Sequence, residues 1–278
     1  YKRQAVFIGV DEPRAAAAKL AAEFFHNPSR RLKITGITGT NGKTTVSFLI
    51  EHIFKANSIN AGIIGTIHYK IADHIIEAGN TTPDVVTLEY LLYLMLEHDL
   101  THAVMEVSSH ALDQRRVEGV EFKTALFTNL THEHLDYHQS LEKYFAAKVK
   151  LFENLTMHHH AVINIDDVYG MRLKQMTKAE IVDYAIENKN ARITALDIRL
   201  KTDSAEFTIK AGKDRVRVKT ELIGRHNIYN MLAAAGVALV EGIPLKSIAS
   251  ALETFKAVPG RLECVGSGLP FKIFIDYA

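Results

Sequence analysis

Apolar positions in the first half of the chain alternate between short solid runs and helical stripes. Leu32 to Thr38 is a compact run that predicts a buried strand. Gly39 to Gly42 predicts a turn, and Lys43 to Ala56 a helix with apolar residues three and four apart. The alternation continues through an apolar run at Ala61 to Ile67, a helix at Asp84 to Glu97, and strands at His102 to Val107 and Thr124 to Asn129. Between those strands lies a short helix, Ser109 to Arg116. A helix over Leu141 to Leu155 and a strand over Ala161 to Ile165 follow. Strands alternating with helices predict an α/β fold, a mostly parallel sheet with helices on both faces.

Beyond about Asp183 the texture changes. Ala191 to Leu200, Ala205 to Ala211 and Arg215 to Leu222 predict antiparallel strands of a smaller sheet. Helices at Asn227 to Glu241 and Leu245 to Phe255 come next, the second opened by Pro244. Phe271 to Ala278 reads as a strand end, so the expectation is a fragment of a longer chain.

Composition narrows the function classes. An apolar share of 47% with 23% charged residues excludes a disordered chain and allows a sizeable core. Lys and Arg number 33 against 32 Asp and Glu, a balance that gives no reason to expect nucleic acid or a membrane as partner. The single cysteine, Cys264, cannot form an internal disulfide. No apolar run nears the roughly 20 residues of a membrane span. A cytoplasmic monomer is the expectation.

The chemistry concentrates in a few segments. Thr38-Gly39-Thr40-Asn41-Gly42-Lys43-Thr44-Thr45 stands between a predicted strand and helix, where backbone N–H groups and a helix N-terminus can cradle phosphate. Lys43 would reach the β/γ-phosphates and the Thr44 hydroxyl would ligate Mg²⁺. The strict phosphate-loop spacing is not met, because Ile37 stands where the first glycine belongs. Met105 to His110 closes a strand and opens a helix, placing Glu106 where a carboxylate beside a phosphate loop can hold Mg²⁺. Lys148 is the anomaly. It falls on the apolar face formed by Leu141, Tyr144, Phe145, Phe152 and Leu155, where burial would favour a neutral amine able to react with CO₂. His132, His134 and His138 do not have zinc-site spacing, and His132 and His138 read as surface residues, as does His158 to His160 as a loop.

Taken together, the compact phosphate loop, the Glu106 segment, Glu133-His134-Leu135-Asp136, Ala146-Ala147-Lys148 and Asn80-Thr81-Thr82-Pro83 resemble the Mur ligase family in order and content. The resemblance runs from about Leu32 to Ala278. It implies a P-loop-type central ATP-binding domain over residues 32–278 of a three-domain ligase. Residues 1–31 would then be the exit of an N-terminal uridine-binding domain, and a C-terminal amino-acid-binding domain would lie beyond Ala278. The implied cofactors are ATP and two Mg²⁺ ions. Thr38, Gly39, Thr40, Asn41, Gly42, Lys43 and Thr44 would bind the phosphates. Asn227 and Asn230 would serve the adenine side, Arg261 the phosphates and Asp276 the ribose. Thr44, Glu106, His134 and Lys148 would form the metal set, with Lys148 carbamylated and Lys43, Lys148, Glu106 and His134 acting in catalysis. Asn80, Thr81, Thr82, Ser108, Gln114 and Arg116 would contact the substrate. That substrate is expected to be UDP-N-acetylmuramoyl-L-alanyl-D-glutamate, to which a free diamino acid, diaminopimelate before lysine, is added through an acyl phosphate. Two alternatives are a folylpolyglutamate-type or other related ligase, and a nucleotide-binding fragment without catalysis.

Overall fold

The structure is a computed structural model, and it describes residues 9–265 and 273–277. The opening segment Tyr1 to Ile8 and, within the expected terminal strand, Phe271, Lys272 and Ala278 lie outside the described residues.

In chain order the elements begin with α1 (Pro13–Phe24), β1 (Lys33–Thr38), α2 (Lys43–Ala56), β2 (Ala61–Ile64), β3 (His68–Ile71), β4 (His74–Glu77) and α3 (Val85–Glu97). Next come β5 (His102–Glu106), α4 (Ser109–Asp113), β6 (Phe122–Phe127), α5 (Leu135–His138), α6 (Leu141–Glu153), β7 (His160–Asn164), α7 (Val168–Lys174) and β8 (Glu180–Ala185). The last part holds β9 (Ile193–Leu200), β10 (Ala205–Ala211), β11 (Asp214–Thr220), α8 (Arg225–Val240), α9 (Leu245–Thr254), β12 (Glu263–Val265) and β13 (Ile273–Ile275).

One large sheet organises them, in the order β11-β10-β9-β8-β7-β6-β1-β5-β2-β3-β4. From β9 to β2 every neighbouring pair is parallel, and antiparallel strands extend both edges. The expected antiparallel strands after Ala191 are therefore present, but they continue the main sheet, because β9 pairs in parallel with β8 at Tyr184 and Ala185. A separate two-stranded antiparallel sheet joins β12 to β13.

Strands β1 and β5 are buried along nearly their whole length, as central parallel strands covered on both faces are. One core lies under α2, α8 and α9, with Ile37, Leu49, Ile53, Met231 and Leu252 fully buried. The other lies under α3 and α6, with Ile34, Leu92, Met105 and Phe152. Helix α1 packs on the outside of α3. Strand β1 is central, and the chain leaves it in opposite directions across the sheet, so a crevice opens at the carboxyl ends of β1, β5 and β6. No helix among the described residues is long and apolar enough to cross a membrane.

Candidate active site

The crevice is a cleft of about 1000 Å³. Its lining brings together Thr40, Asn41, Gly42, Lys43 and Thr44 from the loop after β1, Glu106 and Ser108 after β5, and Asn80, Thr81, Thr82 and Arg116 opposite them. His134, Asn227, Asn230, Arg261 and Asp276 complete the predicted residues found there.

The loop after β1 is held by its neighbour strand. Thr40 N donates to the Asn129 carbonyl at 2.8 Å and Asn41 N to Asn129 Oδ1 at 3.0 Å. Thr128 Oγ1 donates to the Asn41 carbonyl at 2.7 Å. Gly42 closes the turn at φ 88°, a left-handed value that a side chain resists, and a Cβ there would stand 2.4 Å from Asn230 Oδ1. The loop is thus pressed against α8, and Asn230 in turn donates to Asn227 Oδ1 at 3.1 Å. Lys43 folds back, donating to the carbonyls of Gly39 (3.0 Å) and Thr40 (2.7 Å). Burial pushes its ammonium below the ordinary range, against the opposing pull of Glu106 and Glu133.

Glu106, fully buried at the end of β5, is the best-connected acid in the cleft. Its Oε2 accepts from Thr44 Oγ1 at 2.9 Å and from Thr66 Oγ1 at 3.0 Å, and its Oε1 from Thr66 N at 2.8 Å. Two hydroxyls and a carboxylate beside a phosphate loop are hard oxygen donors of the kind Mg²⁺ takes together with phosphate and water. The donor chemistry fits that ion. Among the described residues no three His, Cys, Asp or Glu side chains converge on a point, so a metal here would need ligands from the nucleotide and solvent as well.

Other predicted residues are placed differently. Thr38 is buried, its hydroxyl has no hydrogen-bond partner among the described residues, and it does not line the cleft. Thr82 is 1% exposed, and its hydroxyl is occupied, donating to the Glu106 carbonyl at 2.8 Å and accepting from Ser108 N at 3.0 Å. Thr81 keeps its hydroxyl near the surface, 3.1 Å from Thr66 Oγ1. The Asn80 backbone is anchored by Tyr69, whose hydroxyl donates to the Asn80 carbonyl at 2.6 Å. Arg116 donates to the Thr82 carbonyl at 3.0 Å, and Gln114 Oε1 accepts from its Nη2 at 2.7 Å, so the guanidinium is fixed at the cleft wall. Arg261 turns toward the Tyr277 carbonyl, and Asp276 Oδ1 accepts from Leu262 N at 3.2 Å.

Lys148 is buried as its position on α6 predicts, at 1% exposure, yet it lies beneath the loop and off the cleft wall. Its Nζ donates to the Gly39 carbonyl at 2.8 Å and stands 4.2 Å from the centre of the Tyr144 ring. Burial, then the nearby Lys43, drives its amine well below the ordinary range. His134 is exposed in a left-handed conformation, its ring edge-on to His110 and Tyr144. His132 is exposed as expected. His138 is not: it is buried, stacked 5.0 Å from Tyr144 and 2.9 Å from Ser109 Oγ, because α5 turns it inward between α4 and α6. Of the bland histidine run, His160 opens β7.

Several cleft residues escaped the sequence reading: Thr66 after β2, Asn129 after β6, Asn164 at the end of β7, Glu133 and Tyr229. The first three share one signal with the loop after β1 and with Glu106 on β5, a polar residue at or just past the carboxyl end of a parallel strand.

Comparison with known proteins places the fold in a family. Residues 37–238 match the Mur ligase middle domain. A UDP-N-acetylmuramoyl-L-alanyl-D-glutamate--2,6-diaminopimelate ligase of Clostridium botulinum is 40% identical over 280 residues, covering 100% of this chain and 57% of that protein. Its namesake from Halalkalibacterium halodurans is 41% identical, covering 97% and 56%. The chain thus spans about half the length of the curated relatives it matches. A solved structure of a ligase of the same name superposes with a TM-score of 0.83 at 27% identity, over 94% of this chain and 56% of that one. A Mycobacterium tuberculosis folylpolyglutamate synthase shares the fold at 17% identity, with a TM-score of 0.75 over 95% and 67% of the two chains. With a family match over most of its length, this chain belongs to the Mur ligase family.

Proposed function

We propose that this chain, with residues 32–278 as its central domain, is the nucleotide-binding part of an ATP-dependent ligase. It would join diaminopimelate to the D-glutamate γ-carboxylate of UDP-N-acetylmuramoyl-L-alanyl-D-glutamate. The observation that carries the reading is the Thr44–Glu106 pair beside Lys43, facing Thr81 and Arg116 across one cleft. The relatives' names support the choice of diaminopimelate over lysine.

In this reading the substrate carboxylate attacks the γ-phosphorus of ATP, ADP leaves, and an acyl phosphate forms. The amine of the incoming amino acid then attacks the acyl carbon, phosphate leaves, and the amine gives up a proton. No protein nucleophile is needed. Lys43 would release its loop carbonyls and meet the transferring phosphoryl group, while the loop N–H groups hold the remaining phosphate oxygens. Arg116, fixed by Gln114, would fork onto a substrate carboxylate. Asn227 and Asn230 would face the adenine, with Arg261 and Asp276 closing over phosphate and ribose.

Thr44 and Glu106 would hold one Mg²⁺, and His134 with a carbamylated Lys148 a second. Bound Mg²⁺ supplies charge neutralisation at the phosphate oxygens. For Lys148 the support is burial that favours the neutral amine, which attacks CO₂ and loses a proton to give the carbamate. As a carbamate the side chain would leave the Gly39 carbonyl.

The test is direct. The full-length protein is incubated with ATP, Mg²⁺, the UDP-muramoyl dipeptide and either diaminopimelate or lysine, and products are read by mass spectrometry. ADP formation coupled to a diaminopimelate adduct is expected. ATP turnover indifferent to the dipeptide would overturn the assignment.

A further inference from the structure

Asp166, in the turn after β7, accepts four hydrogen bonds. Its Oδ2 takes Ile186 N at 2.6 Å, Glu187 N at 2.8 Å and the Tyr229 hydroxyl at 2.8 Å, and its Oδ1 takes Asn188 N at 2.9 Å. One carboxylate therefore joins the segment after β8 to the second turn of α8. Arg225, in the first turn of α8, pairs with Glu187 and adds a second tie between the same two segments. Burial alone would raise the Asp166 carboxyl, but the bonds from Glu187, Asn188, Tyr229 and Ile186 outweigh it and hold it below the ordinary range. Burial and the same carboxylate raise the Tyr229 phenol, so the hydroxyl stays a donor.

What this clamp holds matters to the cleft. Tyr229 lines it beside His226, Asn227 and Asn230. Asn230 abuts Gly42 of the phosphate loop, so the start of α8 is seated against that loop from one side and tied to Asp166 from the other. A nucleotide whose phosphates lie on Gly42 to Thr44 has two directions in which to extend. Toward Thr81 and Arg116 the wall is hydroxyls and a guanidinium. Toward α8 the lining is Tyr229, His226, Asn227 and Asn230, two rings and two amides of the kind that suit a flat heterocycle with donors and acceptors on its edge.

We propose that Asp166 is a positioning residue of the nucleotide site: through Tyr229 it fixes the start of α8 as the wall that receives the base. The inference rests on the ATP reading above. Asp166 does not line the cleft. It acts only through the ring it orients and the segment it anchors. The hydrogen bonds that hold the phosphate loop run to Thr128 and Asn129, not to Asp166 or Tyr229, so the effect should fall on the base more than on the phosphates.

Two probes separate these parts, ATP and inorganic tripolyphosphate, the second of which has no base. Binding is measured by titration calorimetry on the full-length protein, with Asp166→Asn and Tyr229→Phe as variants. Tyr229→Phe keeps the ring and all three backbone bonds to Asp166, so it tests the idea even if Asp166→Asn folds poorly. Each variant is expected to bind ATP roughly tenfold more weakly, the size of one hydrogen bond to a charged group. Tripolyphosphate affinity should not change. In turnover assays the loss should appear in KM for ATP, with kcat preserved. Equal weakening of both probes, or ATP affinity that survives in Tyr229→Phe, overturns the proposal. A wild-type protein that binds tripolyphosphate but not ATP would instead end the ATP reading on which it stands.

Discussion

Lys148 and Lys43 donate to the same carbonyl oxygen, that of Gly39, at 2.8 and 3.0 Å. Two ammonium groups on one neutral acceptor repel each other, and burial lowers both pKa values. The pair is less strained once either amine becomes neutral. Lys148 is the more buried of the two and Lys43 also holds the Thr40 carbonyl, so Lys148 is the one expected to surrender its proton and take up CO₂.

Chemical modification of Lys148 is therefore the first expectation. With ¹³C-labelled bicarbonate, the full-length wild-type protein should show a carbamate signal that Lys148→Ala lacks. Lys148→Ala should lose nearly all ligation and recover part of it with short carboxylic acids, which fill the space and restore an anion. Lys148→Arg should not be rescued, because a permanent cation occupies the gap. Full activity of Lys148→Ala would sink the idea.

Glu106→Gln should cost more than its size suggests. The carboxylate accepts from Thr44 and twice from Thr66, and an amide must turn donors toward at least one of those groups. Loss of one charged ligand at a phosphoryl-transfer site lowers kcat by about 10²-fold or more. Raising Mg²⁺ in steady-state assays should recover little of it. A variant restored by Mg²⁺ alone would mean that Glu106 tunes affinity only.

Much of this cleft was legible because three local signals coincide at β1: an apolar run, glycines at the turn and an amphipathic helix. What stayed hidden has physical causes. β3 and β4 are four-residue strands joined at Ala72, which takes a left-handed φ of 50° without the glycine that marks such turns. That β9 to β11 extend the main sheet depends on a two-residue pairing with β8, and strand neighbours are not written in local pattern. The inward face of His138 is hidden from the sequence because α5 is a single turn, too short to show periodicity. No local pattern marks Asp166, since its partners are 20 to 63 positions away.

The opposite wall of the cleft gives a separable effect. Thr81→Ala and Arg116→Lys should each weaken the UDP-muramoyl dipeptide, by about tenfold for the arginine, and leave ATP binding unchanged. Arg116→Lys keeps the charge but loses the fork that reaches both Gln114 and the Thr82 carbonyl. Thr82→Ala is a different experiment. Its hydroxyl ties Ser108 N to the Glu106 carbonyl, so that change should lower the unfolding midpoint as well. Calorimetric titrations with each ligand check the split, and equal losses for ATP and dipeptide would contradict it.

Off the cleft lining, Glu89 makes a prediction about stability. It sits in α3 at 0% exposure, with neither carboxylate oxygen hydrogen-bonded among the described residues, and burial raises its pKa from 4.5 to about 7. The folded protein therefore binds this proton more tightly than the unfolded chain. Below pH ~4.5 both states hold it and nothing is lost; as pH rises through the interval to about 7, the unfolded chain ionises first and the fold is penalised. Complete ionisation costs on the order of 3 kcal/mol, from roughly 1.4 kcal/mol per pKa unit. Glu89→Gln stays neutral at every pH and keeps the shape. Its stability should come nearest to wild type near pH 4 and exceed it near pH 8, so the difference between the two urea-unfolding free energies should grow with pH between those limits. Urea-unfolding free energies whose difference stays constant from pH 4 to pH 8 would show that Glu89 finds a partner or water in solution.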